Sequence, residues 1–221
     1  CFCIITLMNS NIEIILRSSF LKRVIDIISA IILFILFLPI WIILPILIKI
    51  DSPGPIFYRH KRVGKNGKEF YLYKFRSMLA DADKILYKQN PKLLKKFKDC
   101  DWKLKNDPRI TKLGKLMRNL TLDEFPQLWN VLKGEMSLIG PRAYIKTELE
   151  EQVKKYPQTQ KYLKKVLSVK PGLTGPWQVS GRNEIPFDSR VKIDHDYARN
   201  HNLIYDIIIM LKTPQAMISK W

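Results

Sequence analysis

Histidine and cysteine are scarce in this chain of 221 residues, which holds three of each. Cys1 and Cys3 stand at the very start, Cys100 is isolated, and no CxxC pair or His/Cys cluster occurs. A disulfide framework and a structural zinc site are thereby excluded, and a reducing, cytosol-facing location fits. His60, His195 and His201 are too scattered for a His-ligated metal or a catalytic triad. Neither GxxxxGK(S/T) nor a strand–GxGxxG–helix pattern is present, which sets aside a P-loop and a Rossmann fingerprint. Acidic residues are also few, 20 against 38 Lys and Arg, for a formal charge of +18. Such an excess calls for an anionic partner: nucleic acid, a phospholipid surface or a phosphorylated substrate. No aromatic platform interleaved with Lys/Arg and no reading helix is evident, so nucleic acid is not the expected partner.

What the chain does have is one long apolar run. Residues 27–48, IISAIILFILFLPIWIILPILI, carry no charge. At ~1.5 Å per residue such a run is about long enough for a hydrocarbon core of ~30 Å, and membrane association is expected. Pro39 lies near its middle, where it removes a backbone donor and clashes with the carbonyl of Ile35, so a kink or break is predicted there; Pro45 follows. Lys22 and Arg23 precede the run, and Lys49, Arg59, Lys61, Arg62, Lys65 and Lys68 follow it. With both flanks basic, the positive-inside tendency favours a re-entrant hairpin over a span. Asp26, one turn after Lys22 and Arg23, is expected to pair with them locally. Upstream, CFCIITLMNS does not resemble a natural start, and Met8 is a plausible initiator.

Asp51-Ser-Pro-Gly-Pro55 breaks the chain. Residues 56–63 and 69–75 then read as two strands joined by a turn at Gly64-Lys-Asn-Gly67. Lys74 and Arg76, two apart, are expected on one strand face, where they could grip phosphate. Residues 78–106 are polar, Lys-rich and weakly helical and suggest a mobile surface excursion. Residues 107–120 read as a basic amphipathic helix, at a membrane surface or against the core. Residues 144–165 read as a Lys/Glu-rich helix with little chemical signal. SVKPGLTGPWQVSGRN at 168–183 reads as a rigid loop bearing Lys170 and ending in Gly181-Arg182-Asn183, suited to a nucleotide phosphate or base. Residues 203–221 are apolar on one side and end in Lys220-Trp221, fitting an interfacial anchor.

The most informative stretch is TLDEFPQLWNVLKGEMSLIGPR, residues 121–142. Leu122, Phe125, Leu128, Trp129 and Leu132 recur at helical spacing, Lys133-Gly134 closes the run, and Pro126 is tolerable only in a first turn. Thr121 and Glu124 fit a capping box. Asp123 and Glu124 would then stand at the positive end of a helix. Three readings follow: simple caps, ligands of a shared metal, or a carboxylate that attacks phosphorus.

Four segments in order, KRVIDIISAIILFILFLP, FYRHKRVGKNGKEFYLYKFRSM, DPRITKLGKLMRNLTLDEFPQLWNVLKGEMSLIGPR and KPGLTGPWQVSGRN, resemble the bacterial sugar transferases, the monotopic polyprenol-phosphate phosphoglycosyltransferases. Within that family the chain is similar to the catalytic region of hexose-1-phosphate transferases, and the extra N-terminal membrane domain of larger members is expected to be missing. The resemblance implies an α+β, mainly helical fold: a lead at 1–21, a re-entrant membrane helix-break-helix at 22–50, and a cytosolic domain at 51–221 with a small antiparallel sheet and interfacial amphipathic helices. It implies transfer of a sugar 1-phosphate from a UDP-sugar, with UDP-glucose or UDP-galactose favoured, to undecaprenyl phosphate. UMP would be released, at the cytoplasmic face of the bacterial inner membrane, as the first membrane step of capsule, exopolysaccharide, O-antigen or glycoprotein glycan assembly.

Under the resemblance Asp123 becomes a nucleophile forming a phosphosugar-enzyme, with Glu124 assisting metal binding or proton handling and Mg²⁺ required. Arg118 matches a phosphate-gripping position, Lys22, Arg23, Asp26 and Pro39 a membrane motif, and Gly181, Arg182 and Asn183 the nucleotide-sugar loop. Lys74, Arg76, Arg142 and Lys170 complete the expected substrate-binding cations. Anionic lipids and downstream glycosyltransferases are the expected partners. Two positions depart from the family pattern: Leu38-Pro39 where relatives often have Ser-Pro, and Ala143 closing GPRA where GPRP is usual. The competing reading is a catalytically inactive scaffold of a glycan-assembly complex.

Overall fold

The computed structural model describes residues 19–102, 104 and 106–217. Cys1, Cys3, Met8 and the Lys220-Trp221 ending lie outside the described residues. The apolar run forms two helices, α1 (Ser19–Leu36) and α2 (Leu38–Asp51), bent by 61°. The break falls at Phe37 (φ −98°, ψ 20°), two residues before the proline, and Pro39 occupies the first turn of α2. A first turn has no use for the missing N–H, so the chain breaks just upstream and restarts on the proline. Pro45 is carried inside α2. Among the described residues no single helix is long and apolar enough to cross a membrane, whereas the bent pair has that length and composition. Ile28, Ile31, Ile32, Ile35, Ile42, Ile43 and Ile46 are all bare on its surface. A contiguous apolar face of this kind is far from the norm for a monomer in water.

The basic start of α1 is pinned to the domain. Lys22 pairs with Asp206 and donates to Ile139 O (3.0 Å). Arg23 donates to Val131 O (2.5 Å) and Leu132 O (2.8 Å). Asp26 is buried and accepts from Ser137 Oγ (3.0 Å) and Leu138 N (2.9 Å). The local Asp26 pairing with Lys22 and Arg23 expected from the sequence is therefore corrected. Each of the three finds a partner more than a hundred residues away, because the domain brings backbone groups and a second acid within closer reach.

The hairpin is as predicted: β1 (Phe57–Val63) pairs antiparallel with β2 (Glu69–Phe75), Tyr58 opposite Lys74, with Asn66 (φ 57°) and Gly67 (φ 79°) turning the chain. Residues 78–106 are helical in part and mostly exposed, as expected, yet anchored to the fold. They hold helix α3 (Pro91–Asp99), and Leu86 and Leu104 are buried. Helix α4 (Lys112–Asn119) is capped by Thr111, whose hydroxyl accepts from Gly114 N (3.0 Å). It crosses the chain at Ser77 so closely that a Cβ on Gly114 would lie 1.9 Å from Ser77 O. Met117 enters the core while Leu116 and Leu120 stay exposed.

Two further expectations are corrected. Thr121 makes no capping box: it sits in the left-handed region (φ 57°), Leu122–Glu124 form a 3-10 turn, and α5 (Gln127–Lys133) begins only after Pro126, ending at Gly134 (φ 81°). Segment 168–183 is not all loop: Gly172–Thr174 form β4, parallel to β3 (Ser137–Ile139). That pairing is tight, since a Cβ on Gly172 would meet Gly140 N at 2.1 Å. Residues 144–165 form two helices, α6 (Lys146–Lys155) and α7 (Gln160–Val166). Then follow α8 (Phe187–Asn200) and α9 (Leu203–Met217). On α9 the apolar stripe faces outward, with Ile204, Ile207, Ile208 and Leu211 exposed and Asp206 and Ile209 buried.

One core gathers Phe75, Met117, Leu128, Val131 and Met136 with Ile48 from α2; a second gathers Val63, Tyr144, Leu149, Phe187 and Val191. Burying side chains of this size contributes about 1.5–3 kcal/mol each. The first core thus ties the bent helices and the 121–134 segment into one body.

Arg76 is part of that tie. It is buried, and its guanidinium donates to Ser52 O (2.5 Å), Pro53 O (2.9 Å), Ser52 Oγ (3.0 Å) and Ile48 O (3.3 Å). Arg76→Met should lower unfolding stability by about 2–3 kcal/mol, the worth of charge-assisted bonds at a buried helix end. Thermal unfolding in detergent measures this, and an unchanged midpoint would show that the helix end is held otherwise.

Asp194 on α8 accepts from Arg142 N (3.0 Å) and Tyr144 Oη (2.9 Å) and is fully buried. Burial outweighs those bonds and the neighbouring arginines and raises its pKa to about 7. A carboxyl raised in the fold takes up its proton there before it does in the unfolded chain. Its stabilising protonation is therefore lost as pH rises through about 7. Asp194→Asn should flatten this part of the stability–pH curve and be the more stable form above pH 7, as read by denaturant titrations at several pH values. An unaltered slope would place the titration elsewhere.

Candidate active site

Strand β2, helix α4 and the 121–126 turn converge on a cavity of about 300 Å³. Asp123 and Glu124 stand in it, with Lys74, Arg118, Arg142 and Arg182 around them. Lys74 Nζ lies 2.6 Å from Glu124 Oε1 and 3.7 Å from Asp123 Oδ2. One lysine thus serves both carboxylates, which is how the buried Asp123 can stand beside a second, half-buried acid. Asp123 is 5% exposed. Burial pushes its pKa up, Lys74 opposes, Glu124 adds to the rise, and Arg118 opposes again. Burial acts on Glu124 as well, but Lys74, by charge and by hydrogen bond, with Arg182 and Arg142 behind it, brings Glu124 below its ordinary value. The pair is asymmetric: Glu124 is the settled anion, and Asp123 the poorly stabilised, more basic one.

The field at the pair comes from these side chains. Glu124 and Asp123 stand three and four residues before the first residue of α5, so the helix-end environment expected from the sequence is not what surrounds them. Arg118 rises from the last turn of α4, and its Nε donates to Ser77 Oγ (2.9 Å). Arg182 donates to Thr121 Oγ1 (3.0 Å) and Ala216 O (2.8 Å), and Thr121 donates to Met217 O (3.1 Å). Thr121 (φ 57°) and Arg182 (φ 49°) are both left-handed, non-glycine residues and are bonded to each other. Strained backbone of this kind persists only where surroundings over-determine it, and it concentrates at functional sites.

Behind Glu124 lies a cationic group that the sequence did not single out. Arg62 Nη1 donates to Ala143 O (3.1 Å), which seats the GPRA turn. Burial and Arg142 push the Arg62 pKa down to about 10. Glu148, from the start of α6, is buried against Arg190 (3.3 Å). Arg62, Arg142 and Glu148 all line the cavity. Strand period would have found Arg62, which shares a face with Tyr58, the cross-strand partner of Lys74. Nothing in the Lys/Glu pattern of residues 146–155 distinguishes Glu148 from its neighbours.

The expected site residues thus separate. Lys74, Arg118, Asp123, Glu124, Arg142 and Arg182 come together. Arg76 lines the same cavity, but its guanidinium is turned to the end of α2. Lys170 lies in a different cavity, with Lys22, Arg23 and Asp26. Gly181 (φ 134°) turns the chain into Arg182; Asn183 lies in the Arg182–Glu184 turn, and its side chain is outside what the structure describes. Among the described residues no group of three or more His, Cys, Asp or Glu is arranged for a metal ion.

The sequence pattern of the bacterial sugar transferases matches residues 17–220. The chain is 44% identical over 205 residues to the undecaprenyl-phosphate galactose phosphotransferase of Salmonella typhimurium, covering 92% of this chain and 41% of that protein. It is 39% identical over 199 residues to the exopolysaccharide production protein ExoY of Rhizobium meliloti, covering 89% of this chain and 84% of that protein. It is 37% identical over 190 residues to the UDP-glucose:undecaprenyl-phosphate glucose-1-phosphate transferase of Xanthomonas campestris pv. campestris, covering 82% of this chain and 35% of that protein. The chain therefore spans less than half the length of two of these relatives and most of the third. By the extent of the matched pattern and by its identity to ExoY across most of both chains, this protein belongs to the bacterial sugar transferase family.

Proposed function

We propose that this chain transfers a sugar 1-phosphate from a UDP-sugar to a polyprenyl phosphate, undecaprenyl phosphate by analogy with its relatives, through a covalent intermediate on Asp123. The observation that carries the proposal is buried Asp123 beside half-buried Glu124, with Lys74, Arg118, Arg142 and Arg182 gathered in one cavity. In the first step an Asp123 oxygen attacks the phosphorus that bears the sugar. The bond to the bridging oxygen breaks, and UMP leaves with that electron pair. In the second step a phosphate oxygen of the polyprenyl phosphate attacks the same phosphorus and Asp123 departs as carboxylate. The product is a polyprenyl-diphosphate sugar. Dividing the transfer lets a water-soluble donor and a lipid acceptor use one site in turn.

The asymmetry of the pair suits this role. Glu124 holds Lys74 in place, while Asp123, poorly solvated and more basic, is the better nucleophile. Arg118, Arg142 and Arg182 offset charge on the phosphoryl oxygens, Arg118 through a planar fork. Mg²⁺ fits here on chemistry: this ion takes one or two carboxylates plus substrate phosphates, and Asp123 and Glu124 are the two that would hold it. When bound it would neutralise diphosphate charge.

The bare bent helices α1 and α2 support a re-entrant, monotopic seat in the bacterial inner membrane, with the cavity on the cytoplasmic side. Glucose or galactose is the favoured sugar, after the names of two relatives. Capsule, exopolysaccharide or O-antigen assembly is the setting, with downstream glycosyltransferases as partners. The high positive charge serves anionic lipid and anionic substrate alike.

Incubating the protein with UDP-glucose or UDP-galactose, Mg²⁺ and undecaprenyl phosphate should release UMP. Asp123→Asn should reduce release by ~10³-fold or more and Arg118→Ala by ~10²-fold. Absence of UMP from the unaltered chain across a panel of donors would favour the scaffold reading. Because burial makes the ionised Asp123 unfavourable in the fold, Asp123→Asn should also raise the thermal midpoint at neutral pH. A clear fall in that midpoint would mark Asp123 as a structural residue.

A further inference from the structure

The second cavity, about 320 Å³, lies between the start of α1 and the start of α9 and shares no lining residue with the first. Lys22, Arg23, Asp26, Lys65, Lys170 and Asp206 line it, with His201 beside them. Its two acids are already satisfied. Asp26 accepts from Ser137 Oγ and Leu138 N, and Asp206 pairs with Lys22 and accepts from Tyr197 Oη (2.6 Å). Lys65 and Lys170 form no ion pair among the described residues.

The cations are also crowded. Arg23 Nη2 and Lys170 Nζ both come within 3.5 Å of the point that a Cβ on Gly134 would occupy. Arg23 has the carbonyls of Val131 and Leu132 to offset its charge. Burial and the charge of Arg23, opposed by Asp26 and aided by Lys65, hold the Lys170 pKa below its ordinary value. Like charges gathered in a half-buried recess are unfavourable without an anion between them. The recess also borders apolar surface. Phe20 on α1 is 77% exposed, and Ile204 and Ile207 on α9 are bare. A ligand with an anionic head and apolar tails would satisfy both features, as a lipid headgroup does at a basic pocket beside membrane helices.

We propose that this cavity binds a phosphate group, held by Arg23, Lys65 and Lys170, as borne by the headgroup of an anionic phospholipid or by free phosphate. Such a site would fix the depth and tilt of α1 from outside the catalytic cavity. The proposal is independent of the transferase reading, because it concerns binding at residues that the reaction does not use.

The test is lysine footprinting by an acylating reagent and mass spectrometry on the full chain in nanodiscs. Three conditions are compared: phosphatidylcholine alone, phosphatidylcholine with phosphatidylglycerol, and phosphatidylcholine with inorganic phosphate. Lys65 and Lys170 should be protected about threefold or more by phosphatidylglycerol, as for a ligand at twice its Kd. Lys49, in the last turn of α2 and outside this cavity, should change little. Lys170→Gln should abolish the protection of Lys65, since the two share one ligand. Equal protection by inorganic phosphate would identify free phosphate as the occupant. Unchanged labelling in all conditions, or equal protection of Lys49 by diffuse screening, would overturn the proposal.

Discussion

The structure turns on one lysine between a buried acid, Asp123, and its half-buried neighbour, Glu124. Adjacent carboxylates cannot both ionise out of water unless a cation stands against them. Lys74 does so from the end of β2, 2.6 Å from Glu124 and 3.7 Å from Asp123. The unequal distances divide the labour. Glu124 takes the hydrogen bond and the stabilisation, and Asp123 is left buried, ionisable and under-solvated. The arginines set around the pair line the same cavity.

The architecture that holds this arrangement is continuous with the apolar helices. Arg76, one residue past β2, closes the end of α2, while Lys22, Arg23 and Asp26 anchor α1 to α5, β3 and α9. The strand that presents Lys74 and the helices with bare apolar faces are therefore joined by direct hydrogen bonds and shared core. A lipid acceptor approaching along α1 and α2 would meet a site whose height above those helices is set by direct hydrogen bonds.

Elements governed by local chemistry were legible in the sequence. The hairpin with its Asn-Gly turn, the helix break beside Pro39, and the Gly134 stop each need only neighbouring residues. Lys74, Asp123, Glu124 and Arg182 stood out by local pattern, Arg118 by the family resemblance, and with Arg142 they line one cavity. What was hidden depended on partners far along the chain. Thr121 looked like a cap because Ser/Thr before an acidic residue usually is one, yet its hydroxyl is taken by Arg182 and Met217. Arg76 looked like a ligand of the substrate phosphate, and Lys170 like part of the same site, because a lysine or arginine carries no mark of where its long side chain turns: Arg76 closes the end of α2, and Lys170 lies in the second cavity. Glu148 was indistinguishable among Lys/Glu repeats until the fold set it against Arg190.

The central claim is that the oxygen of Asp123 becomes bonded to phosphorus. Mass spectrometry of the protein after exposure to UDP-sugar, without lipid acceptor, tests it most directly. The mechanism requires a mass increase equal to one phosphosugar, located on the peptide that contains Asp123 and discharged on adding polyprenyl phosphate. Full turnover by a chain that never carries that adduct would contradict it, and would point instead to direct transfer between the two substrates.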